Sequence, residues 1–229
     1  MFRIFTQIVL MAFPQTIRRF LLQKLFNFKI HKTARIGFSL VLCEELVMEE
    51  HACIGNLTLI KPIDRLHMGK YARIGALNFI TGYNTKENGY VKRMGFYSHV
   101  KDRKCELILG EDVAINRSHF IDCNGGVYFG EHSSLAGLNT QILTHGIDAY
   151  NCRQDVKPVV IGKYVSIGTG CIILKGTVVP DYVIVGAGAV LNKQYTESRK
   201  VMGGVPAVIK KDLSNEDVKW FSRESGNVL

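Results

Sequence analysis

Residues 161–190 read IGKYVSIGTGCIILKGTVVPDYVIVGAGAV, which is five consecutive blocks of six residues. Each block opens with Ile or Val, and the fifth residue of each block is small or β-branched. A period of six matches neither an amphipathic helix nor an ordinary alternating strand. It predicts a parallel β-helix of triangular section, in which one block forms one side, three blocks close a turn, and the first residue of every block points inward.

The second residue of each block is also restricted, because three of the five are glycine. These second residues are Gly162, Gly168, Leu174, Pro180 and Gly186. A small residue directly after the inward aliphatic residue suits a corner, where the backbone needs angles that a bulky side chain resists. The sequence therefore predicts that the chain turns its corners at these positions.

Blocks of the same kind occur upstream, with shifts of phase between them. They cover residues 30–59, 68–79, 109–126 and 129–140. The predicted fold class is therefore all-β, a parallel β-helix with a short helix at each end. Its three parts are an N-terminal helical segment, a β-helix and a C-terminal tail, which cover residues 1–29, 30–196 and 197–229.

Two shifts of phase mark long insertions, at residues 81–106 and 141–160. The first insertion is polar, basic and aromatic, and the second contains the sequence Thr-His-Gly-Ile-Asp. Long excursions from a rigid scaffold are the places where binding residues are usually found. We therefore expect the functional residues to be concentrated in and beside these two segments.

Composition restricts the function further. The 229 residues are 47% hydrophobic, which is enough for one substantial core. A net charge of +9 favours an anionic partner, such as a phosphate-bearing cofactor, nucleic acid or an acidic lipid surface. The six cysteines form no C-x-x-C pair, which disfavours a zinc ribbon and a thioredoxin-like site. We expect them to be buried, reduced thiols of a cytoplasmic protein.

The N-terminal segment is too short and too interrupted to be a secretory signal or a membrane span, because Thr6, Gln7 and Pro14 break its apolar run. The residues after Pro14 have helical spacing of apolar side chains, namely Ile17, Phe20, Leu21, Leu25 and Phe28. A helix packed on the main domain is the favoured interpretation, and peripheral contact with the inner face of a membrane is the alternative.

The C-terminal segment predicts a short helix that begins at Ser214, with Asp217 in the reciprocal capping position. Val218 and Phe221 are expected to pack this helix on the last turn of the β-helix.

These blocks resemble the hexapeptide-repeat acyltransferases, in particular the maltose, galactoside and polysaccharide O-acetyltransferases. The resemblance covers residues 14–211 and is most specific over 115–211, which ends in GGVPAVIKK. It implies a left-handed β-helix, a homotrimer, and acetyl-CoA bound along the cleft between two prisms with no metal required. The implied reaction is direct acetyl transfer to a carbohydrate hydroxyl.

The resemblance also implies a general base. His145 lies in the sequence ILTHGID, where the family has its catalytic histidine. A sugar hydroxyl needs a base to remove its proton as it attacks a thioester, and imidazole is suited to that task near neutral pH.

Further site residues follow from the same resemblance. Asn116 matches a residue that contacts the acceptor, and Asp122 or Asp148 is expected to supply an acidic contact that the family has near position 123. The backbone N–H of Thr169 matches an oxyanion donor. The matches along the CoA chain are Ala187, Asn192 and Lys193, and those near its phosphates are Lys211 or Lys210.

Three alternatives remain. An N-acetyltransferase of a nucleotide-linked amino sugar is the principal one. A γ-class carbonic anhydrase is disfavoured, because no pair of histidines has the H-x4-H spacing of its zinc ligands. A noncatalytic prism that binds nucleic acid would use the basic and aromatic residues 83–104, for which we prefer a role as an acceptor lid or a contact between subunits, without nucleic acid.

Overall fold

The computed structural model describes residues 2–86 and 94–224. Short strands of two to five residues recur along the chain, and up to residue 191 successive strands, apart from one hairpin, join three different parallel sheets in rotation. Each turn therefore has three sides, and the turns stack into a triangular prism. The parallel β-helix predicted from the six-residue blocks is confirmed.

Sheets A, B and C are the three sides of the prism. Sheet A contains β1 (Lys29–Ile30), β4 (Glu45–Met48), β7 (Arg65–Met68), β10 (Glu106–Leu109), β13 (Val127–Phe129), β18 (Val159–Ile161) and β21 (Val178–Val179). Sheet B contains β2 (Arg35–Ile36), β5 (Cys53–Ile54), β8 (Arg73–Ile74), β11 (Ala114–Ile115), β14 (Ser134–Leu135), β19 (Ser166–Ile167), β22 (Val183–Val185), β24 (Lys200–Gly203) and β25 (Val208–Asp212). Sheet C contains β3 (Leu40–Val41), β6 (Leu59–Ile60), β9 (Phe79–Thr81), β12 (Phe120–Asp122), β15 (Gln141–Leu143), β20 (Ile172–Leu174) and β23 (Val190–Leu191).

The remaining elements lie outside this rotation. An antiparallel hairpin of β16 (His145–Asp148) and β17 (Arg153–Val156) projects between sheets C and A. Strand β25 folds back antiparallel on β24. The helices are α1 (Phe2–Leu10), α2 (Gln15–Phe26) and a four-residue 3₁₀ turn, Lys219–Ser222.

The core follows the predicted pattern. In the run 161–190, the first and fifth residues of all five blocks are at most 2% exposed. These side chains stack from turn to turn, as Leu66 does between Leu46 and Leu107 in sheet A. The stacked aliphatic residues form one continuous core along the axis of the prism.

The structure corrects the reason for the glycines. The positive backbone angles lie at the fourth residue of each block, namely Tyr164, Gly170, Gly176, Tyr182 and Gly188. The second-position glycines are required instead by the close approach of the next turn. A Cβ on Gly168 would lie 2.7 Å from the backbone nitrogen of Ala187, which no relaxed structure tolerates. The corner therefore turns two residues later than the sequence predicted.

The N-terminal segment forms two helices rather than one, and each helix buries one polar and one apolar residue, Gln7 and Leu10 on the first and Arg18 and Leu22 on the second. The apolar residues Ile17, Phe20 and Leu25 are exposed, whereas Arg18 is buried. The prediction of an apolar face packed on the domain is therefore wrong for these residues, although Leu22 and Phe28 do join the core. Helical spacing alone shows that apolar residues share a face, and it does not show which face is covered.

The predicted C-terminal helix is also wrong in position and type. Ser214 bonds to Asp212 instead of capping a helix, and only the 3₁₀ turn forms five residues later. Phe221 is buried there, with its ring edge-on to Tyr182 at a centroid distance of 5.5 Å. The tail thus packs on a stack of aromatic side chains along one edge of the prism.

The second insertion is shorter than predicted. Residues 141–143 form β15 within the prism and 159–161 form β18, so the excursion is the hairpin between them. Part of the first insertion, including Tyr90, Lys92 and Arg93, lies outside the described residues. The expectation for the cysteines is wrong for Cys152, which is exposed in the hairpin turn, and Cys53 is half-buried.

The stacked core predicts a large stability effect for one substitution. Leu66→Ala removes a fully buried side chain between two neighbouring turns, and we expect it to lower the free energy of unfolding by about 2–5 kcal/mol. Denaturant unfolding followed by circular dichroism measures this. Leu25→Ala, at a side chain that is half-exposed, is the matched control with an expected change below about 0.5 kcal/mol. Equal effects of the two substitutions would contradict a continuous stacked core.

Candidate functional site

Most of the predicted site residues lie on two of the three edges of the prism. Edge BC is the line along which each turn passes from sheet B to sheet C, and edge CA is the line along which it passes from C to A. The hairpin leaves the prism at edge CA, directly after β15. His145 is the first residue of the hairpin and follows the end of β15 by two residues.

His145 is held by a buried carboxylate. Its Nδ1 lies 2.6 Å from Oδ2 of Asp122, and the backbone N–H of His145 donates to the same oxygen at 3.0 Å. The Asp122 side chain is fully buried at the end of β12, whereas 42% of the His145 side chain is exposed. The carboxylate therefore fixes the ring through Nδ1 and leaves Nε2 on the exposed side.

Asp122 is itself fully hydrogen-bonded by its neighbours. Oδ2 accepts from the backbone N–H and the hydroxyl of Thr144, each at 2.9 Å. Oδ1 accepts from the backbone N–H and the side-chain amide of Asn124, at 3.0 and 2.6 Å. These donors fix the orientation of the carboxylate and stabilise its charge in a buried position.

The two partners shift each other's pKa in opposite directions. The hydrogen bond that the His145 ring donates to Asp122 raises the pKa of His145 above its ordinary value. Burial lowers this pKa by a smaller amount. Burial raises the pKa of Asp122, but the hydrogen bonds from His145, Asn124 and Thr144 outweigh it, so that this pKa lies below its ordinary value. Asp122 therefore stays ionised at neutral pH, and its carboxylate favours the protonated form of His145.

This arrangement corrects the expectation that Asp122 contacts an acceptor. A fully buried carboxylate with both oxygens occupied cannot reach a substrate, and it bonds to His145 instead. Asp148 lies at the far end of β16, where its carboxylate accepts from Asn151 at 2.7 Å and from Arg153 at 3.1 Å. Those bonds hold the hairpin turn.

Three of the predicted residues lie together on edge BC. Asn116, Thr169 and Ala187 are exposed at this edge in different turns. The Thr169 hydroxyl donates to the carbonyl of Leu138 at 2.7 Å. Within the described residues the backbone N–H of Thr169 has no acceptor, so this donor faces outward from the prism.

The remaining predicted residues are distributed over two other places. Asn192 and Lys193 are exposed where β23 ends, on edge CA. Lys210 and Lys211 lie on β25, which is exposed along its whole length. Lys211 forms an ion pair with Glu216 at 2.9 Å, whereas among the described residues Lys210 has no acidic partner.

A single chain does not bring the predicted base and the predicted oxyanion donor together. Lys175 lies beside His145, since a Cβ on the adjacent Gly146 would be 3.5 Å from Cε of Lys175. Thr169 and Lys175 are the two ends of one side of the prism, six residues apart, which is roughly 15 to 20 Å at the rise of a strand. Edges BC and CA are thus separated by the full width of sheet C.

Two features of the site were missed from the sequence. Edge BC carries exposed apolar side chains in its first three turns, Phe38, Leu57 and Leu77, and again two turns further on at Leu138. The hairpin and the first insertion enclose a cavity of about 360 Å³, with Tyr97 and His99 on one side and Arg153 on the other. Both features arise from stacking or from packing between distant segments, so no local motif indicates them.

No group of three metal-ligating side chains occurs among residues 2–86 and 94–224. Over the same ranges, each helix is too short or too polar to cross a bilayer.

The architecture is similar to that of solved hexapeptide-repeat acetyltransferases. A polysialic acid O-acetyltransferase is 21% identical, with 81% of this chain and 84% of that chain covered and a TM-score of 0.51. The fold is a left-handed parallel β-helix. The resemblance inferred from the sequence blocks is confirmed at the level of the fold, and the β-helix has the predicted hand.

Two other solved structures are similar over different shares of this β-helix. A maltose O-acetyltransferase from Clostridium difficile 630 is 27% identical over 57% of this chain and 80% of its own, with a TM-score of 0.44. A hexapeptide-repeat acetyltransferase from Vibrio cholerae is 18% identical over 91% of this chain and 87% of its own, also with a TM-score of 0.44. No protein-family model and no curated protein match the chain.

Proposed function

We propose that this protein is an acetyl-CoA-dependent O-acetyltransferase that acts on a carbohydrate hydroxyl, with His145 as the general base. The observation that carries the proposal is the hydrogen bond between the exposed ring of His145 and the buried carboxylate of Asp122. A histidine oriented in this way is equipped to accept a proton at Nε2, which is the step that attack by a hydroxyl requires.

The reaction follows from these groups without a covalent enzyme intermediate. Nε2 of His145 removes the proton from the acceptor hydroxyl while its oxygen bonds to the thioester carbonyl carbon. The backbone N–H of Thr169 donates to the oxyanion that forms. The bond from carbon to sulfur then breaks, and the proton on Nε2 passes to the leaving thiolate, which gives the acetyl ester and free CoA.

Asp122 supports this cycle at both stages. Its hydrogen bond places the proton of the neutral ring on Nδ1, so that Nε2 carries the lone pair. When the ring becomes an imidazolium ion, the buried carboxylate stabilises the positive charge. The proposed role of Asp122 is therefore positioning and charge stabilisation, without contact with the substrate.

The proposed enzyme is a homotrimer in which the site is completed by a neighbouring copy. The base is on edge CA and the oxyanion donor is on edge BC, so one copy of each must meet across a contact between prisms. The exposed side chains of Phe38, Leu57, Leu77 and Leu138 support a protein contact along edge BC, since an apolar line of this kind is typical of an interface.

The proposed binding site for acetyl-CoA has basic side chains where the phosphates would bind. Lys193 and Lys210 are exposed cations that are available to phosphates, with Asn192 and Ala187 proposed along the pantetheine chain. Lys211 is the weaker candidate because its charge is already paired with Glu216. The use of acetyl-CoA, a metabolite of the cytoplasm, places the proposed reaction in that compartment.

One prediction separates the two neighbouring lysines. Lys210→Ala is expected to raise the Kd for acetyl-CoA about fivefold through the loss of one charge-assisted contact of about 1 kcal/mol. Lys211→Ala is the matched control and is expected to change the Kd less than twofold, because its ion pair competes with phosphate. Titration calorimetry at two salt concentrations measures both. A larger effect of Lys211→Ala would place the phosphates elsewhere.

The proposed acceptor is a sugar held near the hairpin. The cavity beside it combines aromatic faces, such as Tyr97, with polar and cationic groups, such as His99 and Arg153, which is a lining that suits an acidic or phosphorylated glycan. One of the similar solved structures, with a TM-score of 0.51, is a polysialic acid O-acetyltransferase. Asn116, on edge BC, is proposed to contact the same acceptor in the trimer.

The proposal is tested first by binding and then by transfer. Calorimetry with acetyl-CoA should give saturable binding, and its absence would overturn acyl transfer from this donor. Release of the CoA thiol is then followed with free, nucleotide-linked and lipid-linked glycans. Mild alkali hydrolyses an ester product and leaves an amide intact, which distinguishes O-acetylation from N-acetylation of an amino sugar.

A further inference from the structure

The two N-terminal helices cover the open end of the prism, and we propose that their outer face docks on an anionic lipid bilayer. This layer, α1 and α2, is named the cap. The inference concerns a surface at one end of the prism and does not depend on the proposed acetyl transfer.

The side of the cap that faces the prism carries polar side chains that bond to the outermost strands. Strands β1, β2 and β3 are the last strands of their sheets at this end, so their outer backbone groups have no neighbouring strand. Gln7 bonds to both the carbonyl and the N–H of Val41 at 2.5 and 2.9 Å. Arg18 donates to the carbonyls of Ile36 and Gly37 at 3.0 and 2.8 Å.

More of the same bonds complete the cover. Gln23 donates to the carbonyl of Ile30 at 3.1 Å, and Arg19 donates to the carbonyl of Lys32. All three sheet edges are thus satisfied by side chains of the cap. The inner side of the cap thus combines these polar side chains with Leu10 and Leu22, which join the core.

The outward side of the cap is apolar and uncovered in the chain. Phe2 and Phe5 lie opposite Gln7 on α1 and are 74% and 68% exposed. Phe20 lies opposite Arg18 on α2 and is 56% exposed. The same surface includes other exposed apolar side chains, which are Ile4, Ile8, Val9, Phe13 and Ile17. Aromatic and aliphatic residues on one face of short helices suit the interface of a bilayer.

Charge identifies the occupant as an anionic surface. Residues 1–43 contain seven Lys and Arg and no Asp or Glu. Of these cations, Arg18 is buried against the prism and Arg3 is paired with Glu44, which leaves five for an anionic surface. Lys24 on α2 is exposed, as are Lys29, Lys32 and Arg35 in the first turn of the prism, next to the cap. Basic side chains near a bilayer surface are attracted to anionic lipids.

The direction of the face favours a membrane over another copy of the chain. The face points away from the prism beyond its first turn, whereas edges BC and CA run along the sides. In a trimer of prisms packed side by side, three such faces point the same way and can meet one flat surface together. Three linked contacts strengthen binding well beyond a single one.

Vesicle flotation tests the proposal. The full chain is mixed with vesicles of phosphatidylcholine alone or with 30% phosphatidylglycerol, at low and high salt. We expect recovery with the anionic vesicles, at least tenfold less with the neutral ones, and a decrease at high salt. The variant Phe5→Ser/Phe20→Ser should bind at least tenfold more weakly, because it removes one exposed aromatic side chain from each helix of the cap.

The control removes two exposed apolar residues from the hairpin. Ile147→Ser/Tyr150→Ser should bind the anionic vesicles like the unmodified chain. Circular dichroism and light scattering show whether each variant keeps its fold and mass. Absence of vesicle binding by the unmodified chain, or equal binding by the cap variant, would overturn the proposal. A loss of mass in the cap variant would also overturn it, because the face would then be a contact between copies.

Discussion

His145→Ala is expected to lower kcat for acetyl transfer about a thousandfold, since general base catalysis contributes about 10²- to 10⁴-fold. The substitution removes the only proposed proton acceptor and leaves a small space at a partly exposed position. The Kd for acetyl-CoA should change less than twofold, because the proposed donor contacts lie on other residues. Thiol release with a reactive acceptor measures kcat, and light scattering checks the trimer mass.

The matched control for this variant is another histidine with a carboxylate partner. His67 Nε2 lies 3.0 Å from Glu49 on sheet A, away from both edges of the proposed site. His67→Ala should keep kcat within about twofold of the unmodified enzyme. A His145→Ala enzyme with near-normal turnover would remove the ring from the mechanism, whatever the acceptor.

Asp122→Asn is expected to have the next largest effect, about 10- to 100-fold on kcat. The amide cannot stabilise an imidazolium charge, and its NH₂ group does not accept the Nδ1 proton. Asp122 raises the pKa of His145, so its removal lowers that pKa. The proposed mechanism requires the neutral ring, so activity should increase as pH rises through this pKa. The acid limb of the pH profile should therefore shift to lower pH in the variant.

The pH profile separates this positioning role from a structural one. A variant that is merely less well folded would lose activity at all pH values without a shift of the acid limb. Asp148→Asn, in the hairpin turn, is the matched control and should leave the acid limb of the pH profile at the same pH as in the unmodified enzyme. An unshifted limb in Asp122→Asn would contradict the coupling between the two groups.

Asp122→Asn should also lower the free energy of unfolding, by about 1–3 kcal/mol at neutral pH, because a buried acceptor of several hydrogen bonds is replaced. The folded-state pKa of Asp122 is lowered, so its contribution is present above the ordinary carboxyl pKa and is lost as pH falls through the folded pKa. The folded-state pKa of His145 is raised, so its contribution is present below the ordinary imidazole pKa and is lost as pH rises. The difference in free energy of unfolding between the unmodified protein and Asp122→Asn should be largest in mildly acidic solution, above the carboxyl pKa and below the imidazole pKa.

The fold was predictable because its signal is local and repeated. The first and fifth residues of each block point inward in every turn, so a count along residues 161–190 is sufficient to predict the stacked core. His145 was marked by its place between a block and its restart. The hand of the β-helix came from the resemblance, since a six-residue period has no hand of its own.

The partner of His145 was not predictable in the same way. Asp122 lies 23 residues earlier, and it meets the histidine only because β12 and β15 are adjacent, with Ile121 beside Ile142. An insertion between turns changes the spacing, so no fixed interval in the sequence marks the pair. Aligning the six-residue blocks of β12 with those of β15 would have placed Asp122 beside the start of the hairpin.

The cap was misread for a different reason. Apolar residues at helical spacing usually mark the covered face, but here the surface beneath the helices is the polar edge of three strands. Arg18 and Gln7 satisfy backbone groups that no strand can reach. The need for these bonds appears only once the first turn of the prism is known to end there.

The central claim is that base and oxyanion donor meet across two copies of the chain, and a crystal structure of the complex with CoA tests it most directly. We expect a trimer with the CoA sulfur within about 4 Å of both groups, His145 Nε2 of one copy and the Thr169 N–H of the next. CoA bound with its sulfur away from every His145, or a chain that binds CoA as a monomer, would contradict the account.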